Sequence, residues 1–439
     1  MIRKVVILSL TASLLASCGV VGKSRPKTPV IGNRVSVLST DPDVQVDPST
    51  AALPFSIPSP AVNDAWTQPG NTPSKSGGHP ALGATVAQAW VNSIGQGSSL
   101  DARLNAAPVV SGGTVYTIDT LSTVRAFDAA TGGQRWAVQF GTDKGKNNSL
   151  FGGGVSVEGN RLYATNGLGY VVALDTSNGA EVWKKRPGGP LRGAPTVAGD
   201  TLYVISQDNQ LYSLKTATGE QNWSATAAVE IAGVFGSAAP AFAQGTVVAG
   251  FSSGELNAYR YENGRAVWQD ALSRTSISTS VATLSDIDAS PVIDNGQVFA
   301  LGQGGRMVAL DLISGQRIWE LNLAGIATPW VAGDWVFVVT DDAKVMAIAR
   351  NTGKIRWINQ LAQFERPKVK RNPISYAGPV LAGGRLIVAG DNGALINLDP
   401  ATGAFQSQTS VGAPVTQSPV VANNTLYILD DRARLHAYR

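Results

Sequence analysis

The stretch Ala126-Phe127-Asp128-Ala129-Ala130-Thr131-Gly132-Gly133-Gln134-Arg135-Trp136 states a phrase that returns along the chain. Its Gly-to-Trp spacing recurs at Gly179/Trp183, Gly219/Trp223, Gly264/Trp268, Gly315/Trp319 and Gly353/Trp357. A last copy at Gly403 carries Ser407 in the Trp position and Asn397 in the Ala position. A fixed internal period of this length marks a repeat architecture, and it decides the fold before any one strand is read.

A second phrase precedes each copy. Pro108-Val109-Val110, Pro195-Thr196-Val197, Pro240-Ala241-Phe242, Pro291-Val292-Ile293, Pro329-Trp330-Val331, Pro379-Val380-Leu381 and Pro419-Val420-Val421 each run into a turn bearing Gly or Asn. Gly154-Val155-Ser156 is a further copy with Gly in place of Pro. Short runs rich in Val, Leu and Tyr between such turns read as antiparallel strands joined by hairpins. One unit is four strands every ~40–50 residues, which is a propeller blade. The expected fold is all-β: an eight-bladed β-propeller of four-stranded antiparallel blades.

Eight inner strands start blades, but only seven Trp-type turns follow them. After Pro419 the chain stops at Leu435-His436-Ala437-Tyr438-Arg439, with Ala437 in the Ala position. The missing outer strand is available upstream, in Val86-Ala87-Gln88-Ala89-Trp90. The N-terminal strand is therefore expected to close the last blade and remove an exposed edge. Trp90, Trp136, Trp183, Trp223, Trp268, Trp319 and Trp357 read as structural docking residues. Ala and Gly leave a slot, an indole fills it, and its buried N–H needs a backbone acceptor. The seventh blade, with Asn397 and Ser407, is expected to have the weakest interface.

The N-terminus reads Met1-Ile2-Arg3-Lys4, an apolar stretch from Val5 to Leu15, then Ala16-Ser17-Cys18-Gly19. That is a basic n-region, an apolar segment too short to span a bilayer, and a small-residue cleavage site. Leu15-Ala16-Ser17-Cys18 resembles a bacterial lipobox. The alternative is an ordinary secretory signal that contains a Cys. Cys18 is the only cysteine, so an intramolecular disulfide is ruled out. The lipobox resemblance implies lipidation of Cys18 (thioether-linked diacylglycerol with further acylation, such as palmitate). With Gly19 following, it implies sorting to the outer membrane. More than one acyl chain gives stable anchoring.

Residues 1–17 thus read as a signal peptide and residues 18–80 as a lipidated Cys with a disordered tether. The tether is rich in Pro, Ser, Thr, Asp and Asn and cannot bury enough apolar surface to fold alone. Trp66 within it is either a docking anchor or a half-ordered aromatic. Residues 81–439 are the propeller. Removing residues 1–17 takes Arg3 and Lys4 away and lowers the formal charge from +4 to +2. So weak a charge argues against a nucleic-acid partner, which needs a concentrated basic face.

Motifs for chemistry are sparse. His79 and His436 have no Cys partners, so zinc lacks a ligand set. Gly302-Gln303-Gly304-Gly305 leads into a strand, not a helix, so it is a hairpin turn rather than a phosphate cradle. Asp286-Ile287-Asp288 hints at calcium, but Pro291 and Gln297 stand where a calcium loop needs Gly and Glu. No catalytic residue, cofactor site or metal site is assigned.

The Ala-x-Asp-x-x-Thr-Gly-x-x-x-Trp phrase resembles the repeat of quinoprotein (PQQ-dependent) alcohol dehydrogenases. It is a packing motif and implies their fold. The adjacent cysteine pair found in many of them is missing here. A lipobox, a tether and a bare propeller of this repeat together resemble the BamB family, lipoproteins of the outer-membrane β-barrel assembly machinery. Leu284-Ser285-Asp286-Ile287-Asp288-Ala289-Ser290-Pro291-Val292 and the closing Leu435-His436-Ala437-Tyr438-Arg439 are similar to segments of that family.

The resemblance implies a non-catalytic scaffold on the periplasmic face of the outer membrane, anchored through its lipid. Its partner would be the POTRA domains of the central barrel protein, BamA. Other assembly-complex lipoproteins and unfolded outer-membrane clients are further partners in that reading. It assigns Asp286 and Asp288 to the partner contact, together with a loop before Ala239-Pro240 that carries Val234 and Phe235. Phe235 stands where the family has Arg. The other readings are a quinoprotein oxidoreductase and a cell-wall or sugar-binding propeller.

Connections from a Trp strand to the next Pro strand emerge at one end of a propeller. Two are long: Trp268 to Pro291, with the two aspartates, and Trp357 to Pro379, with Arg366, Lys368, Lys370 and Arg371. Long loops on a rigid scaffold tend to carry function. The basic run is either a partner contact or a solvated loop. The Asp pair is either a contact or a turn former ahead of Pro291.

Overall fold

Each repeat folds as its two phrases require. In the computed structural model, blade 1 is Val109–Ser111, Thr114–Ile118, Thr123–Asp128 and Gln134–Gln139, hydrogen-bonded in that order. Six further four-stranded sheets follow the same pattern, and the eighth is Val420–Ala422, Thr425–Leu429, Arg434–Tyr438 and Gln88–Ser93. Trp90 pairs with Ala437 across that last sheet, as the sequence predicts. The fold is an eight-bladed β-propeller closed by its N-terminal strand. The described residues are 44–141, 149, 151–229, 236–272 and 285–439. Cys18, Val234 and Phe235 lie outside them.

The tryptophans hold neighbouring blades together, which the repeat alone does not reveal. Within a blade each indole sits opposite a small residue, as Trp136 does Ala126. Its ring, however, lies on the glycine of the next blade's turn. A Cβ on Gly179 would come within 2.7 Å of Trp136, and one on Gly403 within 2.4 Å of Trp357. The same holds for Trp90 on Gly132, Trp183 on Gly219, Trp223 on Gly264, Trp268 on Gly315 and Trp319 on Gly353. The indole N–H then donates to a carbonyl of that next turn, as Trp136 does to Thr176 at 3.0 Å and Trp357 to Pro400 at 3.0 Å. Glycine is needed here twice over: the ring leaves no room, and φ is positive at all seven turns.

Ser407 now has a reason. The indole of blade 7 would need a turn in blade 8 between Arg434–Tyr438 and Gln88–Ser93. Those strands are not joined by a hairpin turn, because they come from opposite ends of the propeller sequence, residues 434–438 and 88–93. Where no glycine turn exists to receive a ring, the repeat carries Ser407, bonded to Asn397 at 2.9 Å.

The tether boundary at residue 80 needs correction. Residues 44–80 lie against the propeller, and Trp66, Gln68, Lys75 and His79 are buried. The segment enters at the outer strand of blade 6, where Asp47 N–H donates to Ile355 O at 2.8 Å and Lys354 pairs with the Asp47 carboxylate. It then circles the inner strands in order. Asn423 N–H (blade 8) donates to Asn63 O, Trp66 exchanges two backbone bonds with Val110 (blade 1), and Val157 N–H (blade 2) donates to Thr67 O. Gln68 bonds both backbone groups of Val197 (blade 3). Phe242 and Ile293 (blades 4 and 5) donate to Pro73 O and Ser74 O. The Trp330 indole (blade 6) donates to Gly78 O, and Gly383 N–H (blade 7) donates to Pro80 O.

The composition argument fails for a physical reason. This segment needs no core of its own, because the inner strands and the turns that follow them present backbone groups that must find partners.

Candidate functional site

The axis of the ring holds a cavity of about 240 Å3. Its wall comes from residues just ahead of the inner strands, among them Ala106, Ala194, Ser290 and Thr328; the N-terminal clasp, residues 44–80, contributes Trp66, Gly70 and Lys75. Trp66 stacks on Trp330 with ring centroids 5.8 Å apart. The Lys75 ammonium donates to Thr196 Oγ1 at 2.9 Å, and burial pulls its pKa down to about 7. A quinone with calcium does not fit these residues. Among the described residues no group of three or more His, Cys, Asp or Glu is arranged to hold a metal, and Trp66 and Lys75 line the axial cavity. The two histidines serve packing: His79 bridges Pro58 O and Gly384 N–H, and His436 Nε2 meets Asp430 at 2.9 Å.

The Asp pair, which the resemblance assigns to a partner contact, is buried in this structure. Asp286 and Asp288 are 1% and 7% exposed. Both face Arg192, which comes from the connection between blades 2 and 3 and is itself fully buried. Its Nη2 donates to Asp286 Oδ1 at 2.7 Å and to Asp288 Oδ1 at 3.0 Å. Burial, and then the neighbouring Asp286 charge, push Asp288 up to about 7 against the pull of Arg192. Two carboxylates share one guanidinium because a buried charge without a partner is expensive.

The sequence reading missed Arg192, although a signal was present. Arg192 and Asp288 occupy the same place in their repeats, three residues ahead of Pro195 and Pro291. Opposite charges at equivalent positions of two repeats are a pairing hint. It goes unread until the ring sets the connections into blades 3 and 5 on either side of the one into blade 4.

The basic run is built rather than loose. Phe364–Arg366 and Arg371–Pro373 pair as a small hairpin, with Lys370 in the left-handed region at its tip. Arg366, Lys368, Lys370 and Arg371 are all exposed. None of them has an ion-pair partner among the described residues. The hairpin lies in the connection from blade 6 to blade 7, at the end of the ring that also holds the Arg192 group. It is therefore brought to the same face as the Asp pair, while the clasp occupies the opposite turns.

Fold and site together define a propeller of PQQ-like repeats whose conspicuous groups serve packing and surface presentation. The family model described as outer membrane protein assembly factor BamB matches residues 120–359 and 364–439, and the chain belongs to that family. It is 31% identical over 348 residues to the outer membrane protein assembly factor BamB of Escherichia coli (strain K12), covering 78% of this chain and 86% of that one. It is 27% identical over 354 residues to the protein of the same name from Yersinia pestis, covering 80% and 88%. Among solved structures, BamB from Moraxella catarrhalis superposes with a TM-score of 0.68 at 20% identity, over 81% of this chain and 100% of that one. The quinohemoprotein alcohol dehydrogenase from Comamonas testosteroni reaches 0.66 at 14% identity, over 86% and 81%, which is a likeness of fold.

Proposed function

We propose that this chain is a non-catalytic scaffold in the assembly of outer-membrane β-barrel proteins. The observation that carries the reading is the family match across blades 1–8, joined to relatives named for that role. In this reading the chain is held by a lipid on Cys18 at the periplasmic face of the outer membrane. It docks on the POTRA domains of the central barrel protein through the face that carries the blade connections. Two features support that choice of face. The opposite turns are covered by residues 44–80, and the connection face displays an ordered hairpin of unpaired cations. Docking would be positional, since interlocked blades make a rigid platform that holds mobile domains in one arrangement.

The test is recovery of the full-length protein from solubilised outer membranes. The central barrel protein should co-purify with wild type. A photo-crosslinker at Lys368 should join the two chains, and one at Thr352, on the clasp side, should not. Co-purification without any adduct from the connection face would reject this docking mode. Absence of the barrel protein altogether would reject the function.

A further inference from the structure

The Arg192 group is buried, yet it lies in the connections that the docking reading needs. Arg192 belongs to the blade 2–3 connection, and Asp286 and Asp288 to the blade 4–5 connection. Between them runs the blade 3–4 connection, at Gly236. A Cβ there would fall 1.5 Å from Asp288 Oδ1 and 2.5 Å from Arg192 Nη2. Gly236 is thus the gap through which the guanidinium and carboxylates meet. Backbone bonds anchor both ends: Arg192 N–H donates to Ile205 O at 2.9 Å, Ile287 N–H to Phe251 O at 3.2 Å, and Gln303 N–H to Asp286 O at 3.0 Å.

Resting on the docking reading, we infer that Arg192 is a positioning residue. It joins the blade 2–3 connection to the described end of the blade 4–5 connection, close against Gly236, and Asp286 and Asp288 act on docking through it rather than by touching the partner. The chemistry favours this over direct contact. A carboxylate that leaves a buried guanidinium for a partner strands that guanidinium without a counter-charge. One nitrogen makes both bonds. Arg192 Nε and Nη1, Asp286 Oδ2 and Asp288 Oδ2 have no hydrogen-bond partner among the described residues. The tie is therefore strong in charge but sparse in bonds, and its geometry depends on all three members being present.

The charged groups around Asp288 are Asp286 on its own connection, Arg192 opposite, and Asp341 from blade 6. Lys75 lines the same axial cavity as Asp288. Protonation of Asp288 removes one of the two charges that hold Arg192, so docking should weaken as pH falls through neutrality.

The experiment measures affinity of the full-length protein for the purified POTRA region of the central barrel protein. Variants are Arg192→Met, Arg192→Lys, Asp286→Asn with Asp288→Asn, and all three changes together. Arg192→Met should lose at least tenfold in affinity although no atom of Arg192 reaches the surface. The triple variant should be no weaker than Arg192→Met alone, and Arg192→Lys should recover part of the loss. Between pH 6 and 8 wild-type affinity should rise, and Asp288→Asn should flatten that rise.

Arg192→Met binding like wild type, or losses that multiply in the triple variant, would overturn the assignment and put the aspartates in direct contact. If Arg192→Met does not fold, Gly236→Ala breaks the same meeting point. Its affinity should fall by a similar factor, and wild-type affinity there would overturn the assignment equally. A wild type that does not bind the POTRA region sinks the docking reading and this assignment with it.

Discussion

Trp66→Ala separates a clasp from a tether. A tryptophan in a disordered tether contributes nothing to stability, so its removal would be silent. In the structure Trp66 is 3% exposed, and its ring stacks on Trp330 with an interplanar angle of 20°. The backbone bridge to Val110 survives the substitution, so the loss is the buried indole and the stack. Truncating a buried Trp costs roughly 3–5 kcal/mol. At roughly 2.1 cal/mol/K per residue, about 400 residues unfolding together have an unfolding entropy of about 0.8 kcal/mol/K. The expected drop in Tm is therefore about 4–6 °C, read by calorimetry on the purified protein. Proteolysis of the folded variant should also gain an early cut between residues 57 and 80. A Tm within about 1 °C of wild type, with no new cut, would show that residues 44–80 contribute nothing and refute the clasp.

Other expectations follow from the same packing. Lys75 has a folded pKa of about 7 against an ordinary 10.5, because burial disfavours its charge. Between those values the unfolded chain binds a proton that the folded chain does not, so this group makes stability rise with pH across the window, by up to about 1.4 kcal/mol per pH unit. Lys75→Met should abolish that slope, seen as urea midpoints at pH 7.5 and 9.5 that differ less than in wild type; an unchanged difference would place Lys75 in water. Ser407→Trp should not stabilise the ring, since blade 8 offers no glycine turn to receive an indole, whereas Trp357→Ala should cost roughly 3–5 kcal/mol; a clear rise in Tm for Ser407→Trp would contradict the interlock. Neutralising Lys368, Lys370 and Arg371 should slow association with POTRA domains and flatten its salt dependence while leaving Tm unchanged. Kinetics identical to wild type at two salt concentrations would make the hairpin a solvated ornament.

Much of this protein is written in its repeat. The period, the eight inner-strand phrases and the stray Trp90 strand predict the blade count and the closure. These are local patterns copied along the chain, and each copy is evidence for the others. The repeat also marks Ser407 as an exception, but it does not explain it, because the indole's partner lies in the next blade. The composition of residues 18–80 indicates that they cannot fold alone, which is a weaker statement than that they do not fold. Trp66, Gln68 and Lys75 become ordered because a closed ring offers them backbone groups and a floor to pack on.

The Asp pair shows the same limit. Spacing and resemblance single out Asp286 and Asp288, yet whether a carboxylate faces water or an arginine 94 residues earlier depends on the ring. Burial and ion pairing are properties of what surrounds a side chain. In a propeller those surroundings come from blades that are distant in sequence and are brought together only when the circle closes.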